Sequence, residues 1–171
     1  HPFHDQDVAW LNDSTLVFSS DRNGQYDLYV ARSADSKESN LLKTLKREVV
    51  RMTNTPEDER ESVISPDNKK IAYKQNRGTL LTADISKDGK LSNQKILLKG
   101  WSVSDDFSWS PDSKWLAYDL EDLNFNSEVY IHAADNSSKA VNISMHPRGD
   151  YSPVWSKDGS KLGFVSPRNN S

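Results

Sequence analysis

One phrase occurs four times in this chain, and its spacing constrains the fold more than any other feature. The clearest copies are Phe107-Ser-Trp-Ser-Pro-Asp-Ser-Lys-Trp-Leu-Ala-Tyr118 and Val154-Trp-Ser-Lys-Asp-Gly-Ser-Lys-Leu-Gly-Phe164. Looser copies are Val63-Ile-Ser-Pro-Asp-Asn-Lys-Lys-Ile-Ala-Tyr73 and Ala9-Trp-Leu-Asn-Asp-Ser-Thr-Leu-Val-Phe18. The anchors Trp10, Ile64, Trp109 and Trp155 stand 54, 45 and 46 residues apart, and Asp13, Asp67, Asp112 and Asp158 keep the same spacing. A period near 45 residues built from short strands is the signature of a β-propeller.

Each unit has a common grammar. In the third, 106–110 alternates Phe107 and Trp109 with small polar residues, the pattern of a half-buried strand. Pro111-Asp112-Ser113 is turn chemistry, and 114–120, 128–132 and 139–144 complete four strands. The first unit reads as strands over 7–11, 15–20, 26–32 and 48–53, and the second over 62–65, 70–75, 79–85 and 94–99. Residues 33–47 are an insertion in which Leu41, Leu42 and Leu45 suggest a short helix. The lead-in segments repeat as well: His1-Pro2, Thr55-Pro56 and His146-Pro147 stand at one distance before their anchors. The expected architecture is all-β, a partial propeller of three complete four-stranded blades and the first half of a fourth. It forms one domain over 1–171, with units near 1–54, 55–99, 100–145 and 146–171. Blades bury their faces only against neighbours. An arc of this size is therefore expected to expose two apolar faces and to belong to a larger chain or associate with another copy.

Composition narrows the classes. With 171 residues, net charge −3 and both signs interspersed, the chain shows no basic stripe for nucleic acid. No run of about 18 apolar residues is long enough to span a membrane. Cysteine is absent, which excludes disulfides and thiolate metal sites.

The chemistry-bearing residue types are better explained by structure. No Gly-x-Ser-x-Gly elbow exists, so no catalytic residue is assigned. His1-Pro-Phe-His4-Asp5-Gln-Asp7 is ligand-rich, but its counterpart at 55–61 keeps only carboxylates, so no metal or other cofactor is assigned. Asp13, Asp67, Asp112 and Asp158 lie one per blade, too far apart for an acid–base pair, and read as turn caps. Trp10, Trp109, Trp155, Tyr118 and Phe164 recur at fixed positions and read as core between blades. Trp101 lies outside that grammar and is the one aromatic with an open reading, as packing or as a ligand contact.

Trp-Ser-Pro-Asp-x-Lys-x-Leu-Ala-Tyr followed by Tyr26-Asp-Leu-Tyr-Val30 or Glu128-Val-Tyr-Ile-His132 resembles the TolB-type propeller repeat. That repeat also builds the propellers of tricorn-type proteases and of dipeptidyl and prolyl oligopeptidases. Phe107–Tyr118 with Asn126-Ser-Glu-Val-Tyr-Ile131, and Asn142-Ile-Ser-Met-His-Pro147 leading to Pro153-Val-Trp-Ser156, are similar to the propellers of bacterial tricorn-like serine peptidases. The sequence departs from the usual Pro-Asp-Gly turn at Asn68 and Ser113, which predicts a different turn type there. The resemblance implies a non-catalytic segment of a larger peptidase that guides or filters peptide substrates and contacts the remaining domains of its parent. Glu59, Arg60, Asp105, Asp106 and Asp150, near the ends of the innermost strands, would face the channel mouth and filter by charge. The alternatives are a TolB-like scaffold that binds a protein partner in the bacterial periplasm, the compartment favoured here, and the propeller of an oligopeptidase.

Overall fold

A computed structural model of the chain describes residues 2–100 and 103–167. The described residues form no helix, and their strands assemble into four antiparallel sheets. The first holds β1 (Asp5–Asn12), β2 (Thr15–Ser20), β3 (Asp27–Ser33) and β4 (Arg47–Arg51) in sequence order. The second holds β5 (Glu59–Ile64), β6 (Lys70–Gln75), β7 (Thr79–Ile85) and β8 (Leu91–Lys99), and the third β9 (Val103–Trp109), β10 (Trp115–Glu121), β11 (Ser127–Ala133) and β12 (Val141–Asn142). A two-stranded sheet follows, β13 (Tyr151–Trp155) with β14 (Leu162–Val165). The first strands β1, β5, β9 and β13 lie each beside the next, so the sheets fan from one inner edge.

Side-chain alternation on the second sheet explains the stacking. Side chains on a strand point to opposite faces with period two. Ile71 and Tyr73 on β6, with Leu81, Ala83 and Ile85 on β7, join Leu11, Val17, Leu28 and Val30 of the first sheet in one buried cluster. The intervening Ala72 and Leu80 join Phe107, Trp109, Leu116 and Tyr118 of the third sheet in another. The second sheet is thus apolar on both faces. Trp109 and Tyr118 are core, as their repetition predicts, and the Trp109 indole donates to Val63 O of the neighbouring sheet at 3.0 Å. Trp155 and Phe164 are half-buried, while Trp10 is 47 % exposed on the outward face of the first sheet.

Gly89 shows how closely the sheets approach. It sits in the β7–β8 hairpin at φ 84°, and a Cβ placed there would lie 2.3 Å from Val30 Cγ1 of the first sheet. Gly89→Ala combines left-handed backbone strain with overpacking and should destabilise the chain by about 2 kcal/mol. Urea denaturation measures this, and a shift below about 0.5 kcal/mol would show that the hairpin does not rest on Val30.

Besides the core reading of Trp10, two expectations are corrected. Residues 41–45 form no helix. Lys43 N–H and Thr44 N–H both donate to Asn40 O, and Leu42 N–H donates to Asn40 Oδ1, which closes a turn instead. Only Leu41 of the three leucines is buried; Leu42 and Leu45 are exposed, so no apolar helix face exists to stabilise one. Nor do Asn68 and Ser113 change the turn type. Both adopt φ near +60° (57° and 60°), as Gly159 does at 71° in the corresponding turn. Asparagine tolerates this conformation, and the Ser113 hydroxyl accepts Asp67 N–H across sheets at 3.1 Å.

The turn-cap reading of the repeated aspartates holds for three of four. Ser65, Ser110 and Ser156 donate to Asp67, Asp112 and Asp158, and each aspartate accepts the backbone N–H two residues on. Hydrogen bonds from Ser156 and Ser160 hold the Asp158 carboxyl down to about 2. In the first sheet Asn12 takes this role, accepting from Ser14 N–H at 2.9 Å.

Candidate functional site

The innermost strands begin earlier than their hydrophobic pattern suggests, because each carries a β-bulge. Opposite β2 the register slips between Gln6 and Ala9, opposite β6 between Arg60 and Val63, and opposite β14 between Tyr151 and Val154. In the third sheet the slip is larger, with Val103 and Phe107 opposing Leu120 and Tyr118. A bulge bends its strand and re-aims the extra side chain. The bulge residues Asp7, Glu61 and Ser152 all sit at φ 54°. Each lies three residues before a repeat anchor, and Asp106 holds the same position before Trp109.

These positions link one sheet to the next. Asp7 Oδ2 accepts from its own sheet's Ser19 hydroxyl and from Glu61 N–H of the second sheet, both at 3.0 Å. Glu61 Oε2 lies 2.9 Å from Lys74 Nζ, and the same ammonium reaches Asp105 of the third sheet. Asp106 Oδ2 accepts from the Ser152 hydroxyl of the fourth at 2.6 Å, and Ser152 N–H donates to Asp119 Oδ1 at 3.2 Å. Ser19, Lys74 and Asp119 occupy one repeat slot, immediately after the aromatics Phe18, Tyr73 and Tyr118. The same repeat slot thus joins neighbouring sheets through three different side chains and three different sets of bonds.

Charge states follow from burial and pairing. Burial raises the Glu61 carboxyl above its ordinary value, outweighing the nearby ammonium. Burial alone would lower Lys74, but hydrogen bonds to Asp105 and Glu61 win and raise it. The Lys74 hydrogen bond draws the more exposed Asp105 down. Charge is also segregated by strand. The inner strands β1, β5 and β9 carry Asp5, Asp7, Glu59, Glu61, Asp105 and Asp106 against Arg60 alone. The outer strands β4 and β8 carry Arg47, Arg51, Lys95 and Lys99 against Glu48.

The five residues singled out from sequence separate into two groups. Asp105 and Asp106 are exposed within the bulge network. Arg60 is half-buried, with its guanidinium 3.7 Å from the Tyr26 ring centroid and 2.9 Å from Asp58. Glu59 and Asp150 are fully buried and present no carboxylate to solvent. Glu59 accepts from Thr55 Oγ1 and from Gln75 Nε2 at 3.0 Å. Glu59 N–H donates to Tyr26 O, the residue before β3, and Asp150 N–H to Ser127 O, the first residue of β11, both at 2.8 Å. Lead-in residues are therefore joints between sheets. Asp7, Glu61 and Ser152 were missed although their fixed distance from the anchors is visible in sequence. Lys74 also holds a fixed repeat slot, after Tyr73, but the side chain in that slot differs in every sheet.

Among the described residues no group of three or more His, Cys, Asp or Glu side chains could hold a metal ion. His4 instead bonds Asp21 at 2.9 Å; His1 and Trp101 lie outside the described residues. No described helix is long and apolar enough to cross a membrane.

The same fan of sheets occurs in solved structures. TolB from Acinetobacter baumannii superposes with TM-score 0.63 at 17 % identity, over 99 % of this chain and 39 % of that one. The tricorn protease superposes with TM-score 0.74 at 15 % identity, over 100 % of this chain and 16 % of the protease.

The chain has a β-propeller fold, with sheets arranged like those of TolB and the tricorn protease. At these identities the likeness is one of fold. A protein of Sulfurisphaera tokodaii described as a tricorn-like protease C-terminal subunit is 31 % identical over 106 residues, which is 61 % of this chain and 12 % of that protein. No family model matches the chain. The propeller therefore spans about an eighth of that relative's length. The bulge network lies on the inner edges of its blades, where a propeller has its central channel.

Proposed function

We propose that this chain is the non-catalytic propeller segment of a larger tricorn-like serine peptidase, and that its inner wall guides and filters peptide substrates by charge. Blade units near 1–54, 55–99, 100–145 and 146–171 form one arc that packs against the remaining domains of the parent protein, in the bacterial periplasm. The observation that carries the reading is the acidic bias of the inner strands, where Asp5, Asp105 and Asp106 are exposed against a half-buried Arg60. A channel lined by one sign of charge within low-dielectric walls concentrates ligands of the opposite sign. Cationic peptides are favoured and acidic ones turned away. Asp105 and Asp106 are the accessible elements of that wall, and Glu59 and Asp150 act only by fixing the blades. The likeness to TolB supports a second reading, a scaffold that binds a protein partner.

Charge reversal at Arg60 and Asp106 tests the filter in the full-length protein. Asp106→Lys should lower kcat/KM for a lysine-rich peptide several-fold at low salt and raise it for a glutamate-rich one. Arg60→Glu should act in the opposite sense. Both effects should shrink near 0.5 M salt, where the Debye length falls well below 10 Å. Unchanged turnover of both peptides in both variants would reject the filter.

A further inference from the structure

The third blade carries one corner unlike its counterparts. The β2–β3 loop of the first blade reads Asp21-Arg-Asn-Gly-Gln-Tyr26, and the β6–β7 loop of the second Asn76-Arg-Gly78. The corresponding β10–β11 loop reads Asp122-Leu-Asn-Phe-Asn126. Leu123 is 90 % exposed and Phe125 87 %. The neighbouring loop adds Met145, 75 % exposed. The two loops are tied together, because Asn126 Nδ2 donates to His146 O at 3.1 Å and Asp150 N–H donates to Ser127 O at 2.8 Å. Phe125 and Met145 thus flank one contact.

Backbone strain marks the same corner. Among the described residues, ten non-glycine positions have left-handed φ. Four are asparagines, which tolerate it, and Asp7, Glu61 and Ser152 are the bulges. Ser113 is a repeat turn. The two bulky apolar residues of the set are Phe125 at 59° and Met145 at 43°. Neither repays its strain with burial. Strained residues persist where surrounding structure holds them and cluster at functional sites.

We propose that this corner docks an extended peptide segment that carries bulky apolar side chains flanked by lysine or arginine. The apolar anchors are Leu123, Phe125 and Met145. The basic flanks follow from charge complementarity, because Glu121 and Asp122 are exposed within 119–128, which holds no cation, and the adjacent loop offers a single arginine. The size of the patch selects a short segment over a second copy of the chain. Three side chains fall far short of the roughly 800 Å² per partner that a stable protein interface buries. The site is made of exposed loop residues rather than inner-strand residues and does not rest on the channel reading.

The test uses the 171-residue chain and a fluorescein-labelled decapeptide with two leucines flanked by lysines, followed by anisotropy. Binding is expected with Kd on the order of 100 µM. Phe125→Gly should weaken it at least tenfold while raising Tm by about 2–4 °C, because glycine relieves the left-handed strain. Leu123→Ser should weaken binding without that gain, and Leu45→Ser, at an exposed leucine of the 33–47 insertion, should leave binding unchanged. The proposal is overturned if Phe125→Gly and Leu123→Ser bind like the parent chain, or if a glutamate-flanked decapeptide binds equally well. It also fails if Asp106→Lys abolishes binding, which would place the peptide in the channel, or if sedimentation shows that Phe125→Gly dissolves a dimer.

Discussion

Trp109→Ala should cost the chain about 3–5 kcal/mol, the range for deleting a large buried aromatic. The side chain is 6 % exposed between the second and third blades, and its indole N–H donates to Val63 O at 3.0 Å. Alanine leaves a cavity against Ala72, Leu80 and Leu116, and it leaves a buried carbonyl without that donor. Trp109→Phe separates the two effects: it keeps most of the packing and loses the hydrogen bond, so a loss of about 1–2 kcal/mol is expected. Urea unfolding of both variants measures the difference. If Trp109→Ala lost less than about 1 kcal/mol, the indole would not be a load shared between blades.

Lys74→Met should destabilise the chain by about 2–3 kcal/mol at neutral pH. Lys74 is buried, and its ammonium is the cation between Glu61 and Asp105. Removing one partner of a buried pair leaves charge uncompensated, which typically costs 3–5 kcal/mol. Exposure of Asp105 to water reduces that figure here. The pH dependence has a defined sign. Asp105 is drawn below its ordinary 3.8, so its contribution is complete above that pH and is lost as pH falls through the folded value. Lys74 is raised above 10.5, so its contribution is complete below 10.5 and is lost as pH rises through the folded value. Glu61 is raised above 4.5, so its ionisation in the folded state erodes stability as pH climbs from 4.5 to the folded value. The stability gap between parent and Lys74→Met should therefore be widest through the neutral range and close below about pH 3.8 and well above pH 10.5. A gap independent of pH would show that the methionine changed packing alone.

Much of the fold is legible in sequence. Strands at 15–20, 70–75 and 79–85 follow from alternation and agree residue for residue with β2, β6 and β7. The core roles of Trp109 and Tyr118 follow from their recurrence. Expectations were less accurate where local signals compete with tertiary pairing. The inner strands start earlier because a bulge lets polar residues pair beyond the hydrophobic run. Leu41, Leu42 and Leu45 read as one helix face, but Asn40 accepts two backbone N–H groups and closes a turn first. Carboxylates at strand ends look alike in sequence, yet Asp106 is exposed and Asp150 buried.

By itself, the sequence determined the repeat, its period, three of its four aspartate caps and the core roles of Trp109 and Tyr118, because each of these is a local pattern written once per blade. Only the tertiary structure decided which acids face solvent, that Lys74 bridges Glu61 and Asp105, and that Leu123, Phe125 and Met145 crowd one exposed corner. Those facts depend on contacts between strands and loops distant in sequence, such as Lys74 with Asp105, 31 positions apart, and no local pattern records them.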